Sequence, residues 1–187
     1  MIWFRSLIEE TAPVIIFGVA YYVFSIEVAA VAMVVAMTVV VSSTYYLRDV
    51  VPWFAVLSTL GCTLFLVVSL FLNDMTYFMA SDTVLDGILG VVLFWSLKWK
   101  TPLLQILFER TFAISDRAWH TLTFRWGILF IALAVLNEFF RLYTSQQLWV
   151  YFKILSTVVI LLFGCYQFTL SAKERIPGES NWLGLRR

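Results

Sequence analysis

Ionic side chains are scarce in this sequence. Only 13% of its 187 residues are charged, about half the share found in an ordinary soluble domain, which excludes a water-soluble globule as the default reading. Bases are not in excess either, since 13 Lys and Arg stand against 12 Asp and Glu, and no positive surface is left over to neutralise a phosphate backbone. Nucleic acid is therefore not an expected partner. The two cysteines, Cys62 and Cys165, lie singly inside apolar runs, without a CxxC pair or zinc-ligand spacing, and read as small core residues. There is one histidine, His120, and no glycine-rich phosphate loop, HExxH or GxSxG string. No metal, cofactor or catalytic constellation is expected, so the chain reads as not an enzyme. His120, beside Trp119 and Thr121, reads as an ordinary polar residue near an interface.

What is present is apolar text: 61% hydrophobic residues and a mean hydropathy of +0.89. No linker rich in Pro, Gly or Ser interrupts it before Ile176, so residues 1–175 read as one transmembrane helical domain and 176–187 as a short cytoplasmic tail. Ala30-Val31-Ala32 has the look of a signal-peptide cleavage site. However, Glu9 and Glu10 spoil a basic leader and the apolar run continues to Val41, so the N-terminal segment is expected to be retained.

A charge at the bilayer centre costs about 2.5–3.5 kcal/mol even on insertion scales, so the gaps between charges mark candidate spans. Val28–Leu47, Val50–Asn73 and Ile154–Ala172 hold 20, 24 and 19 uncharged residues, against the roughly 20 needed to cross a bilayer. Asp82–Leu97 and Trp126–Phe140 are shorter and must borrow length from their flanks. Thr11–Glu27 could span or lie re-entrant, with Pro13 placed where a helix start tolerates it. The expected architecture is all-α: a polytopic transmembrane helical bundle of five or six spans, with a short interfacial helix within Pro102–Phe112.

Lys98, Lys100, Arg110, Arg117 and Arg125 crowd one connecting region, and Lys173, Arg175, Arg186 and Arg187 the tail. Both regions read as cytoplasmic by the positive-inside rule, which places the C-terminus inside. Lys98, Lys100 and Arg125 could also hold anionic lipid headgroups. Gly61, Gly87, Gly90, Gly127 and Gly164 read as small residues that let helices approach closely.

Asn137, Glu138, Arg141 and Lys153 form the most suggestive polar set. A hairpin turning near Tyr143–Leu148 would bring Glu138 and Lys153 to similar depth, where an ion pair would lower the insertion cost of both, and Asp82 and Asp86 could join from the neighbouring helix. The plain reading is a cluster that fixes helix packing; the sharper one is a headgroup or proton site.

The text from Asn73 to Lys153 resembles the intracellular septation protein A family, the YciB-type inner-membrane proteins of Gram-negative bacteria. The resemblance is carried by Asn73-Asp74, Pro102-Leu103-Leu104, Trp119 with Leu122-Thr123 and Arg125-Trp126-Gly127, Leu136-Asn137-Glu138, and Trp149-Val150-x-Phe152-Lys153, in that order. Where the family usually carries Lys-x-Lys-Pro-Thr, this chain reads Met79-Ala80-Ser81-Asp82-Thr83, the mark of a divergent member. The resemblance implies a noncatalytic, multi-pass cell inner membrane protein of cell-envelope biogenesis, septation and membrane homeostasis, engaging membrane lipids and proteins of the division and elongation machinery. A small transporter or lipid-handling protein with an intramembrane polar site is the alternative.

Overall fold

In the computed structural model, residues 2–48 and 53–186 are described, with side chains omitted for 2–10, 48 and 54. Val50, the expected start of one span, and Arg187 of the basic tail lie outside the described residues. The described residues form seven helices in order: α1 (Ile2–Val23), α2 (Ile26–Arg48), α3 (Trp53–Leu72), α4 (Thr76–Ser96), α5 (Leu103–Phe108), α6 (Asp116–Tyr143) and α7 (Gln146–Lys173). No strand occurs among the described residues, only isolated bridges. Among the described residues five helices are long and apolar enough to cross a membrane: Ile26–Leu47, Ala55–Leu72, Thr76–Ser96, Asp116–Tyr143 and Gln146–Lys173. The apolar part of α1, Thr11–Val23, is shorter, and Pro13 lies inside α1 rather than at its start.

Two expected spans prove longer than their charge gaps. Helix α4 begins at Thr76, so Asp82 and Asp86 lie inside it rather than at its end. The break before α4 has a local cause: Asn73 adopts φ 57°, a left-handed conformation that ends a helix and that Asn tolerates. Asp74 Oδ1 then accepts the Thr76 N–H at 2.8 Å, and the buried Ser69 hydroxyl accepts the Phe78 N–H at 2.6 Å. Donors of the first turn of α4, which have no partner within the helix, are thereby satisfied. Helix α6 likewise begins ten residues before Trp126, where the Ser115 hydroxyl accepts the Ala118 N–H at 3.2 Å.

The chain divides into two compact units, Met1–Leu85 with Leu136–Thr157 and Asp86–Val135 with Val158–Arg187. The first is built on the α1–α2 hairpin and buries Phe17, Ala29, Ala30, Met33, Leu66, Phe78 and Trp149 in one apolar cluster. Alanines along α2 let α1 approach closely, the usual device where lipid removes the hydrophobic drive between helices.

The second unit packs Ile114, Ala118, Trp119 and Leu122 together, and its C-terminal residues strap back onto the connection before α6. Ile176 N–H donates to the Ala113 carbonyl, Ala113 N–H to the Gly184 carbonyl and Arg186 N–H to the Thr111 carbonyl, each at 2.9 Å. Gly184 is required there: its φ is +81°, and a Cβ would lie 2.6 Å from the Ser171 carbonyl oxygen. Helix α5 is a single six-residue piece with no buried residue.

Candidate functional site

The polar residues of the first unit meet because three helices each place theirs at helical spacing. Phe78 and Asp82 are i, i+4 on α4, as are Met79 and Thr83, and Trp149 and Lys153 are i, i+4 on α7. Asn137, Glu138 and Arg141 come from the end of α6.

Asn137 is the hub. Only 1% exposed, it donates from Nδ2 to the Met79 carbonyl at 2.9 Å and to Thr83 Oγ1 at 2.8 Å. Its Oδ1 accepts the Trp149 indole N–H at 2.8 Å. One amide thus ties α4, α6 and α7 together with both hydrogens and its oxygen in use. Thr83 passes the chain on by donating to Glu138 Oε2 at 3.1 Å. Arg141 closes it with a two-pronged grip, Nε to Glu138 Oε2 at 2.9 Å and a terminal nitrogen to Oε1.

Lys153 occupies a different niche. It is 6% exposed, its Nζ donates to Asp82 Oδ2, and it lies 5.5 Å from the Trp149 ring and 5.9 Å from those of Phe17 and Phe78. These rings contact one another, Phe17 meeting Trp149 edge-on at 6.1 Å. The negative π faces of the three rings attract the ammonium, and the carboxylate provides the full opposing charge. The ion pair of Lys153 is therefore with Asp82, and Glu138 carries Arg141, in place of the Glu138–Lys153 pair expected from depth alone. Depth along a hairpin does not specify which face of α4 lies between the partners. Asp86, one turn beyond Asp82, belongs to the second unit.

Thr83, Trp149, Phe17 and Phe78 complete the site and were not singled out from the sequence as part of it. For Phe78 and Trp149 the signal is the i, i+4 spacing of an aromatic residue before each member of the pair, Phe78 before Asp82 and Trp149 before Lys153; Phe17 and Thr83 carry no such signal.

The other candidate set stays dispersed. Lys98 Nζ lies 4.9 Å over the Trp95 ring. Arg125 donates to Gln167 Oε1 at 3.1 Å and stacks 5.7 Å from the Tyr166 ring, while Lys100 is exposed in the α4–α5 connection. No bond joins Arg125 to either lysine among the described residues. Glycines do mark close approaches: a Cβ on Gly90 would meet Ile131, one on Gly127 the Phe94 ring, and one on Gly61 the Leu85 methyls. Among the described residues no three His, Cys, Asp or Glu side chains gather as metal ligands.

The family model described as intracellular septation protein A matches residues 6–175. The chain is 30% identical to the inner membrane-spanning protein YciB of a Bradyrhizobium species, covering 88% of this chain and 83% of that protein. The YciB protein of Nitrobacter hamburgensis is 27% identical, covering 91% and 86% respectively. For that of Agrobacterium fabrum the identity is 30%, over 73% of this chain and 67% of the relative. No solved structure matches the chain.

Proposed function

The chain belongs to the intracellular septation protein A family, and from that premise we propose a noncatalytic, multi-pass inner-membrane protein of cell-envelope biogenesis, septation and membrane homeostasis. Its C-terminus is cytoplasmic. It works laterally, through outward helix faces that engage membrane lipids and proteins of the division and elongation machinery. The observation that carries this reading is how the first unit uses its polar groups: Asp82 with Lys153, Glu138 with Arg141, and Asn137 with three partners. Groups committed to one another fix helix packing. Outward positions such as Val31, Val35 and Val39 on α2 and Leu57, Leu60, Leu64 and Val67 on α3 are exposed and apolar, as surfaces facing lipid or another membrane protein should be. Capture of the tagged chain from mildly solubilised membranes is expected to recover division or elongation proteins, and its deletion to weaken the envelope. Empty captures together with a normal envelope would sink the proposal.

A second reading has one specific observation in its favour. The Asp82 side chain is 25% exposed, so the Asp82–Lys153 pair has an accessible edge where a small transporter or lipid-handling protein would receive a proton or headgroup. Liposome proton-flux and lipid-transfer assays on Lys153→Met and Glu138→Gln, singly and together, decide it. Wild-type rates in every variant would remove this alternative.

A further inference from the structure

In the second unit, a crevice of about 280 Å³ runs between the start of α6 and the end of α7. Arg117, Ala118 and Thr121 line one side and Leu170, Lys173 and Glu174 the other. The acid there, Glu174, accepts the Ser115 hydroxyl at Oε2 at 2.9 Å, and against this single carboxylate the crevice sets two bases. Neither Arg117 nor Lys173 has an ion pair among the described residues, and both are exposed. The helix dipole alone accounts for a cation in the last turn of α7. It does not account for a guanidinium in the first turn of the neighbouring helix lining the same crevice. Deeper along the same two helices, Gln167 is 5% exposed, gives its Oε1 to Arg125 and leaves its Nε2 donor without a partner among the described residues.

We propose that this crevice is a binding site for a phosphate group, that of an anionic phospholipid headgroup. The planar fork of Arg117 suits two phosphoryl oxygens and the Lys173 ammonium adds a point charge. Ala118 and Leu170 give the same crevice an apolar wall against which the glycerol and first acyl carbons of a lipid rest, which a free phosphate ion would leave unused. Basic pockets between membrane helices are the usual setting for such headgroups. The inference rests on reading the chain as a lipid-engaging membrane protein, and it names the site and the chemistry of one such contact.

Its test is titration of the full chain in mild detergent, followed by native mass spectrometry, with short-chain phosphatidylglycerol, short-chain phosphatidylcholine and inorganic phosphate as separate probes. Phosphatidylglycerol is expected to saturate one site more tightly than phosphatidylcholine. Arg117→Ala with Lys173→Ala is expected to weaken it roughly 30-fold, at the usual worth of a cation near a membrane surface. Arg110→Ala with Arg186→Ala removes equal charge elsewhere and should change it less than threefold. Equal losses in the two double variants would reduce the effect to general charge attraction and overturn the site, and full competition by inorganic phosphate at equal concentration would overturn the lipid assignment. Absence of all lipid association, phosphatidylcholine included, would instead fail the membrane reading itself.

Discussion

At the scale of single residues, the Asp82–Lys153 pair and the Asn137 amide are where this fold is most easily damaged. Asp82→Asn takes away the carboxylate to which Lys153 Nζ donates, and the attraction of the neighbouring rings does not match that of a full charge. Breaking one side of a buried pair usually costs 3–5 kcal/mol; Asp82 is partly exposed, so a loss of about 3 kcal/mol is expected in denaturant unfolding of the detergent-solubilised protein. Adding Lys153→Met should restore part of that loss, since a thioether fills the aromatic niche without charge. If the double variant is less stable than Asp82→Asn alone, burial of the Lys153 charge is not what makes Asp82→Asn costly. Much of this site was legible as composition and little of it as pairing. Asn137, Glu138, Arg141 and Lys153 stand out as polar residues in apolar text, but which cation goes to which acid depends on the rotation of α4, and one helix cannot encode that alone. The string Met79-Ala80-Ser81-Asp82-Thr83, read first as a missing basic motif, supplies three of the cluster's partners: the Met79 carbonyl, Asp82 and Thr83.

At the scale of helices, the sequence errs where charge serves as a boundary marker. Asp82 and Asp86 look like the end of a span because an unpaired carboxylate in lipid is costly. Helix α4 in fact starts at Thr76, because the local stop signal of Asn73 and the cap of Asp74 outweigh charges further in, one of which Lys153 bonds. The Thr76 hydroxyl and then its backbone N–H, both bonding the Asp74 carboxylate, hold its pKa below the usual aspartate range, with a smaller pull from the Arg141 charge. A carboxylate whose folded pKa is depressed stabilises the fold above its unfolded pKa, and that contribution is lost as pH falls through the lower folded value. The protection factor of the amides in the first turn of α4, that is, exchange corrected for its intrinsic pH dependence, is therefore expected to fall on acidification through that window. Asp74→Asn should abolish the pH dependence; if it persists in that variant, another group is responsible. Close packing gives a second prediction. A Cβ at Gly90 would lie 3.1 Å from the Ile131 backbone nitrogen and 2.7 Å from its Cγ1, whereas one at Gly61 meets only the Leu85 side chain, nearest at its Cδ2 at 2.7 Å. Leu85 can rotate away and the Ile131 backbone cannot. Gly90→Ala is expected to cost about 1–3 kcal/mol and Gly61→Ala about 1 kcal/mol or less, since the helix propensity of Ala offsets part of its crowding. Thermal unfolding that ranks them the other way would contradict the close approach at Gly90.

At the scale of the whole chain, the order of the five long apolar helices turns local charge into a statement about sides. If α2, α3, α4, α6 and α7 each cross once, the α2–α3 connection, the α4–α6 connection and the C-terminus share one side. The α3–α4 and α6–α7 turns share the other. Lys98, Lys100, Arg110 and the tail bases fall on the first side, whereas the Asn73–Met75 turn carries Asp74 and no base, so the positive-inside rule predicts a cytoplasmic first side. Helix α1 decides the remaining terminus. Its apolar stretch Thr11–Val23 rises about 20 Å at 1.5 Å per residue, short of the roughly 30 Å of hydrocarbon, and Arg5, Glu9 and Glu10 precede it. It is therefore expected not to cross, which leaves the N-terminus on the outer side, opposite the C-terminus. Reporter fusions before Ile2 and after Asp74, Thr111, Ser145 and Arg186 should read outside, outside, inside, outside and inside. An N-terminal reporter that reads inside while the other four hold would make α1 a sixth crossing. An exchange of sides at Thr111 and Ser145 would mean that the basic connection does not orient the chain.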